Sequence, residues 1–352
     1  MAPRGRGRTI DDAEDTSALF DELGWETPPA PQIDAHPLSA FAVPPHRPVA
    51  SSGAPPDKLP LVIVELDREL EAIVDRVIAG EADESAEGEL LRQGERAMQV
   101  IMSRFPGPIT VERSRIVTLP RPPRPSECGP VLRLIAHERR VALPFVLERL
   151  GDADPETRGW ATHLLCELPY PEAIPPLLLR LRDVDASTRA SAAQALASIA
   201  RVSSQAVRDA LIGLTRSVDP EERAAAMPAI AELGDAGLVP DLVHALGDGG
   251  ERVVLAANVA LVKVTGQDFG HDARGWLRWW EPNARRHRVE WLIDALTHEV
   301  SEIRRAVGEE LPALTREYFG YSSDLPPRDR QRAQQRYRDW WITEGRERFR
   351  RS

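Results

Sequence analysis

The sequence predicts an all-α solenoid of stacked helical hairpins preceded by a disordered N-terminal arm. Three observations predict it. Leu, Ala, Arg and Glu dominate the 352 residues while aromatics make up 5%, a mixture that favours helix. A motif recurs at roughly thirty-residue steps, the signature of a repeat array: an apolar helix end, an Asp, and an Arg four residues later. The first 58 residues, by contrast, are broken by PPAPQ, VPPHRPV and SSGAPPD and hold no regular period.

The arm, residues 1–58, contains one segment of different character. In 15–26 (DTSALFDELGWE), Leu19, Phe20, Leu23 and Trp25 gather on one side of a short helix capped by Asp15, Thr16 or Ser17. Acidic residues around a few bulky apolar ones suit a docking peptide that folds in a partner's groove.

Residues 59–139 read as N-terminal helical hairpins. Leu66, Leu70, Ile73, Val74 and Val77 give one apolar face. A break at AGEADESAEGE precedes a second helix over 89–105. The stretch 106–125, with PGPITVER and LPRPPRP, is too rich in proline for helix and is expected to cross the surface in extended form. Helix resumes at about Val131.

Residues 140–352 hold the repeat. LERLGDADPETRGWATHLL, LLRLRDVDASTRASAAQAL and LTRSVDPEERAAAMPAI share one plan, anchored by Asp154 and Arg158, Asp185 and Arg189, and Asp219 and Arg223. The Asp is placed to cap the second helix, and Pro155 and Pro220 sit at the first helical position, where proline is tolerated. Ala161, Ala192, Ala193 and Ala226 let helices approach closely, while Leu165, Leu196 and Ile230 fill the space between layers. Two looser copies follow, LVHALGDGGERVVLAANVAL with Asp248 and Arg252, and LIDALTHEVSEIRRAVGEEL with Arg304 but Val300 in the Asp position. These residues resemble the HEAT-repeat family, in particular its short bacterial forms. The resemblance implies a right-handed solenoid of HEAT-like hairpins whose surface binds a partner.

Arg252 and Arg304 are 52 residues apart, so an insertion of about twenty separates those two copies. It falls at 265–283, with Thr265, Phe269, Gly270, Trp276, Trp279 and Trp280. A second version lies at 315–345, with Thr315, Phe319, Gly320, Tyr337, Trp340 and Trp341. In both, Thr precedes Phe-Gly by four residues and a helix ending in Trp-Trp follows. Aromatics at helical spacing read as structural, packing sideways onto the solenoid. An exposed aromatic ledge is the alternative.

Nothing in the sequence amounts to an active site. His137-Glu138 and His298-Glu299 are similar to the His-Glu pairs that bind iron in the HEAT-repeat deoxyhypusine hydroxylases, but that family needs four pairs and two occur here. His163 and Cys166 read as interior residues. No nucleophile motif, phosphate-cradling glycine loop or zinc spacing is present, so no cofactor and no metal are expected. The net charge of -10 disfavours general attraction to nucleic acid or membrane. Arg285, Arg286, His287 and Arg288, with the arginines from Arg328 to Arg351, form local basic stretches diluted by Asp329, Asp339, Glu344 and Glu347.

Cys128 and Cys166 are too few for a disulfide framework, and the N-terminus lacks an apolar run. A cytoplasmic protein is the expectation. The sequence therefore predicts a non-catalytic scaffold that binds a protein or peptide partner. A nucleic-acid-binding solenoid using the C-terminal arginines is the alternative, and an enzyme of the lyase or hydroxylase type the second.

Overall fold

The structure, a computed structural model, describes residues 61–116 and 122–350, with side chains from residue 68 onward. All regular structure among the described residues is helical. The expectations for the arm and for Leu19, Phe20, Leu23 and Trp25 lie outside these residues. So does the side chain of Leu66.

The described residues up to Gly213 and those from Leu214 onward form two compact units. The first begins with α1 (Leu61–Ala79), whose Leu70, Val74 and Val77 are buried in line with the apolar spacing. The helix expected over 89–105 is two helices, α2 (Glu84–Leu91) and α3 (Glu95–Ser103). Gly94, at φ 56°, supplies the left-handed backbone that separates them. Asp83 caps α2 by accepting from the Ala86 N–H at 2.8 Å, which starts that helix inside the expected break.

Within the described part of 106–125 the expected extended crossing is interrupted by α4 (Arg113–Ile116), and Arg113, Ile116 and Pro125 are buried. α5 (Pro130–His137) follows. Hairpins then succeed one another: α6 (Arg139–Arg149) with α7 (Pro155–Leu164), and α8 (Ile174–Arg180) with the first part of α9 (Ala186–Thr215). α9 carries non-helical angles at Ser203, where one helix ends and the next begins.

In the second unit α10 (Pro220–Leu233) is followed by the hairpin α11 (Val239–Ala245) and α12 (Glu251–Thr265). The Trp-bearing helix α13 (Ala273–Asn283) separates it from the hairpin α14 (Arg288–Ala295) and α15 (Ser301–Thr315). The second Trp-bearing helix α16 (Pro327–Trp340), a π turn at Trp341–Gly345 and α17 (Arg346–Arg350) complete the order. One core joins the last elements, running from Val289, Leu292 and Leu296 through Leu311 to Tyr337, Trp340 and Trp341.

The residues preceding α7, α9, α10, α12 and α15 are Asp154, Asp185, Asp219, Gly250 and Val300, at spacings of 31, 34, 31 and 50 residues. This corrects the register expected for the fourth copy. Asp248 is not the cap; it stands two residues before Gly250, and Arg252 is in the second helical position rather than the fourth, which Val254 occupies. Gly249 and Gly250 let the turn close without a capping side chain, and Asp248 is the first acidic position of the turn rather than the second.

Candidate functional site

The hairpin turns are built from two overlapping devices. Two residues ahead of each cap stands a side chain that accepts the cap's own N–H: Asp152 from Asp154 at 3.0 Å, Asp183 from Asp185 at 3.0 Å, Ser217 from Asp219 at 3.1 Å, Asp248 from Gly250 at 2.8 Å and His298 from Val300 at 3.0 Å. Each is a side chain closing a turn on the backbone two residues on. Arg158, Arg189, Arg223 and Arg304, in the fourth helical position, then donate from Nη1 to the two carbonyls that start each turn, at 2.7–3.1 Å. The arginine answers acceptors that the turn would leave bare.

Two of these arginines also reach across to the next turn. Arg158 presents Nε and Nη2 to both oxygens of Asp183 at 3.0 and 3.2 Å, and Arg223 does the same to Asp248 at 2.6 and 2.9 Å. Such a fork fixes geometry as well as charge. Ser217 and His298 stand where the other three turns carry a carboxylate. Asp154 and Asp185 cap their helices through Thr157 and Thr188 at 2.8 and 2.7 Å, and Asp219 through Glu221 at 2.9 Å.

Arg113, which sequence reasoning missed, enters this frame from outside it. Its Nη1 donates to Asp185 Oδ2 at 2.6 Å, Ser187 Oγ at 2.6 Å and Thr188 Oγ1 at 2.9 Å, and its Nη2 donates to Glu156 Oε2 at 3.2 Å. A Cβ on Gly159 would stand 2.1 Å from Arg113 Cζ, so only glycine lets the guanidinium lie this close to α7. Burial works against the charge of Asp185, but hydrogen bonds from Thr188, Arg113 and Ser187 outweigh it and hold the carboxyl well below its ordinary range.

His163 is buried beside Trp160, with ring centroids 5.8 Å apart. Burial pushes its pKa down to about 4, the Pro123 carbonyl opposing and the Arg113 charge assisting. The folded-state value lies below the unfolded one of about 6.5, so its contribution is complete above that pH and is lost as pH falls toward 4. The loss amounts to roughly 3 kcal/mol. His163→Gln should flatten the fall in stability between pH 6.5 and 4, measured by urea denaturation at a series of pH values. His287, also pushed down by burial, titrates in both proteins and cancels in the difference. Cys166 is half-buried rather than a core residue, while Cys128 is fully buried and its thiol is pushed up to about 11.

The two Trp segments are copies of one module. Thr265 and Thr315 each donate to the carbonyl four residues back at 2.7 Å and accept the N–H two residues on. Gly266 and Arg316 follow at φ 69° and 63°, then Gly270 and Gly320 at 58° and 71°. Phe269 meets Trp276 edge-on at 4.9 Å and 86°; Phe319 meets Tyr337 at 4.7 Å and 89°. Phe269 and Trp279, at 6.5 Å and 44°, are matched by Phe319 and Trp340 at 6.2 Å and 46°. Trp276 Nε1 donates to the Gly270 carbonyl at 2.9 Å, and Tyr337 Oη to that of Glu317 at 3.2 Å. Trp276, Trp280, Trp340 and Trp341 are buried, Trp279 is half-buried, and Phe269 lies at the rim. Trp291, outside the repeated pattern, packs on Trp279 and Trp280 at 5.3 and 5.6 Å.

The C-terminal arginines are largely engaged with this core. Arg338 pairs with Asp294 at 2.9 Å, Arg346 with Glu290 at 3.4 Å and Arg348 with Glu317 at 3.1 Å, while Arg330 and Arg336 donate to carbonyls. His137 is exposed beside Glu138, and His298 is spent on its turn. Among the described residues no group of three or more His, Cys, Asp or Glu is arranged to hold a metal, and no helix is long and apolar enough to cross a membrane.

Successive hairpins tied turn to turn define a helical-repeat protein. Within it, residues 143–226 match the family model for HEAT repeats. No curated protein matches the chain. Among solved structures it is similar to an engineered protein at 20% identity, covering 69% of this chain and 95% of that one with a TM-score of 0.29. A computationally designed armadillo repeat protein for modular peptide recognition matches at 19% identity, 69% and 99% coverage and a TM-score of 0.28. A designed armadillo repeat protein in complex with the peptide (KR)4 matches at 20%, 70% and 99%, and 0.27.

Proposed function

We propose that the chain is a non-catalytic helical-repeat scaffold that binds a protein or peptide partner. The observation that carries this is a face of α10 and α12. On α12, Arg252, Leu255, Val259 and Lys263 fall on one side of the helix. Leu255 is 48% and Val259 66% exposed. Arg252 pairs with Glu221 and Lys263 with Glu232, so an ion pair to α10 closes each end of the strip. Apolar side chains flanked by charge suit an amphipathic peptide segment. Of the C-terminal arginines that would grip phosphate, Arg338, Arg346 and Arg348 are turned onto carboxylates.

A photo-crosslinker at position 255, with capture from the native cell, tests the reading. The expected product is a defined adduct, reduced at least about tenfold by Val259→Glu, the range of a lost interface anchor. Adducts insensitive to that substitution would remove this face from the binding role.

A further inference from the structure

The polar slot that holds Arg113 has features of a receptor, and they name a partner chemistry; the inference rests on the binding role proposed above. Every group bonded to the guanidinium belongs to two hairpin turns. Glu156 and the Pro155 carbonyl come from the first turn of α7, and Asp185, Ser187 and Thr188 from the opening of α9. These groups are arranged by the repeat itself: Asp185 accepts from Ser187, Thr188 Oγ1 and the Thr188 N–H at 2.7 Å each, as part of its cap. The side chain that fills the slot comes instead from α4, a four-residue helix outside the hairpins, of which Arg113 and Ile116 are the buried residues.

Shape and charge both select a guanidinium. Gly159 leaves a bare strip of α7 against which the planar group lies, closer than any side chain would permit. Two carboxylates face one cation; the Arg113 side chain is 6% exposed, while Glu156 at the slot's edge keeps 55% of its side chain in solvent. The fit of Arg113 is itself incomplete, because its buried Nε has no acceptor among the described residues. Replacing one arginine by another leaves the buried charge unchanged, so exchange avoids the desolvation cost that introducing a new buried ion would carry.

We propose that this slot is a receptor for an arginine side chain on an extended segment of a partner protein, and that Arg113 occupies it as an internal ligand which the partner displaces. An internal ligand competes at the high effective concentration that tethering creates. Emptying the slot should therefore raise affinity for a free arginine peptide.

The probe is acetyl-Gly-Arg-Gly-amide, titrated calorimetrically into the full chain, with the Lys and Gln peptides as controls. Arg113→Gln is expected to bind the Arg peptide at least about tenfold more tightly than the wild type, consistent with removal of a tethered competitor. Adding Asp185→Asn, which keeps a capping oxygen but removes the charge, should abolish that gain. Should Arg113→Gln fold poorly, Arg113→Lys serves, since a point charge cannot fill a forked site; the Arg peptide should then raise its Tm more than the Lys peptide does. No arginine-selective binding by either variant, or equal binding of the Arg and Lys peptides, overturns the proposal. The titration reads the slot alone, whereas crosslinking at position 255 reads the α12 face, so failure of one is distinguishable from failure of the other.

Discussion

Asp183→Ala should lower the free energy of unfolding by about 3–5 kcal/mol, the usual cost of removing one partner of a buried ion pair. The Asp183 side chain is 2% exposed and accepts four hydrogen bonds from three residues. It receives the fork of Arg158, an Nη1 bond from Arg180 at 2.9 Å, and the Asp185 N–H that closes the turn. Deletion leaves the Arg158 guanidinium without its counter-charge and opens the turn that positions the cap of α9. Asp183→Asn retains the turn bond and should cost less than half as much. Arg158→Met combined with Asp183→Ala should recover part of the loss, because no buried charge is then left alone.

Urea denaturation followed by circular dichroism reads all three variants, and a loss below about 1 kcal/mol, the level of an exposed pair, would show that the ladder is ornamental. The pH dependence has the matching sign. Burial raises the pKa of Asp183, but the bonds from Arg158 and the Asp185 N–H, with the Arg180 charge, bring it below 3.8. Its contribution is present above that pH and lost as pH falls further.

How far the molecule could be read from its sequence followed the range of each interaction. Asp154 with Arg158, and Asp185 with Arg189, are four residues apart, and a cap followed by an arginine is a local pattern with a local cause. The second device is also written there, in Asp152-x-Asp154 and Asp183-x-Asp185. At Gly249 and Gly250 the capping Asp is missing, and the remaining Asp248 falls two residues ahead of the cap position. With the caps placed at Gly250 and Val300, Thr265 and Thr315, Phe269 and Phe319, and Gly270 and Gly320 all fall 50 residues apart, so hairpin and Trp module repeat as one unit.

Arg113 was not legible for a different reason. Its partners lie 42 to 75 residues further along the chain, in two separate turns. A lone arginine in a proline-rich stretch carries no periodic signal, and only the tertiary arrangement reveals it. Gly159 gave a faint hint, being a glycine inside a helical segment that had no turn to make. Trp291 was likewise missed, because it belongs to α14 and not to the repeated Trp pattern.

Trp276→Ala should cost about 3–5 kcal/mol, as expected for a large buried aromatic truncated to a methyl group. The ring is fully buried, edge-on to Phe269 and to Trp279 at 6.2 Å, and its Nε1 satisfies the Gly270 carbonyl. Trp276→Phe keeps most of the volume and removes the hydrogen bond, so it should fall between the wild type and Ala. Trp276, Trp279, Trp280, Trp291, Trp340 and Trp341 all lie in the unit beginning at Leu214, and Trp160 in the other. Intrinsic fluorescence during urea unfolding therefore reports chiefly on the unit that holds the substitution, while circular dichroism reports on both. The expected result is an earlier fluorescence transition in Trp276→Ala, with the remaining helical signal lost at the denaturant concentration of the wild type. An aromatic ledge serving a ligand predicts the opposite pattern, a stability change below about 1 kcal/mol, typical of an exposed position. The matched geometry of Phe319, Tyr337 and Trp340 makes Tyr337→Ala the parallel experiment, and a module that packs rather than binds must give both substitutions the same sign and a similar size.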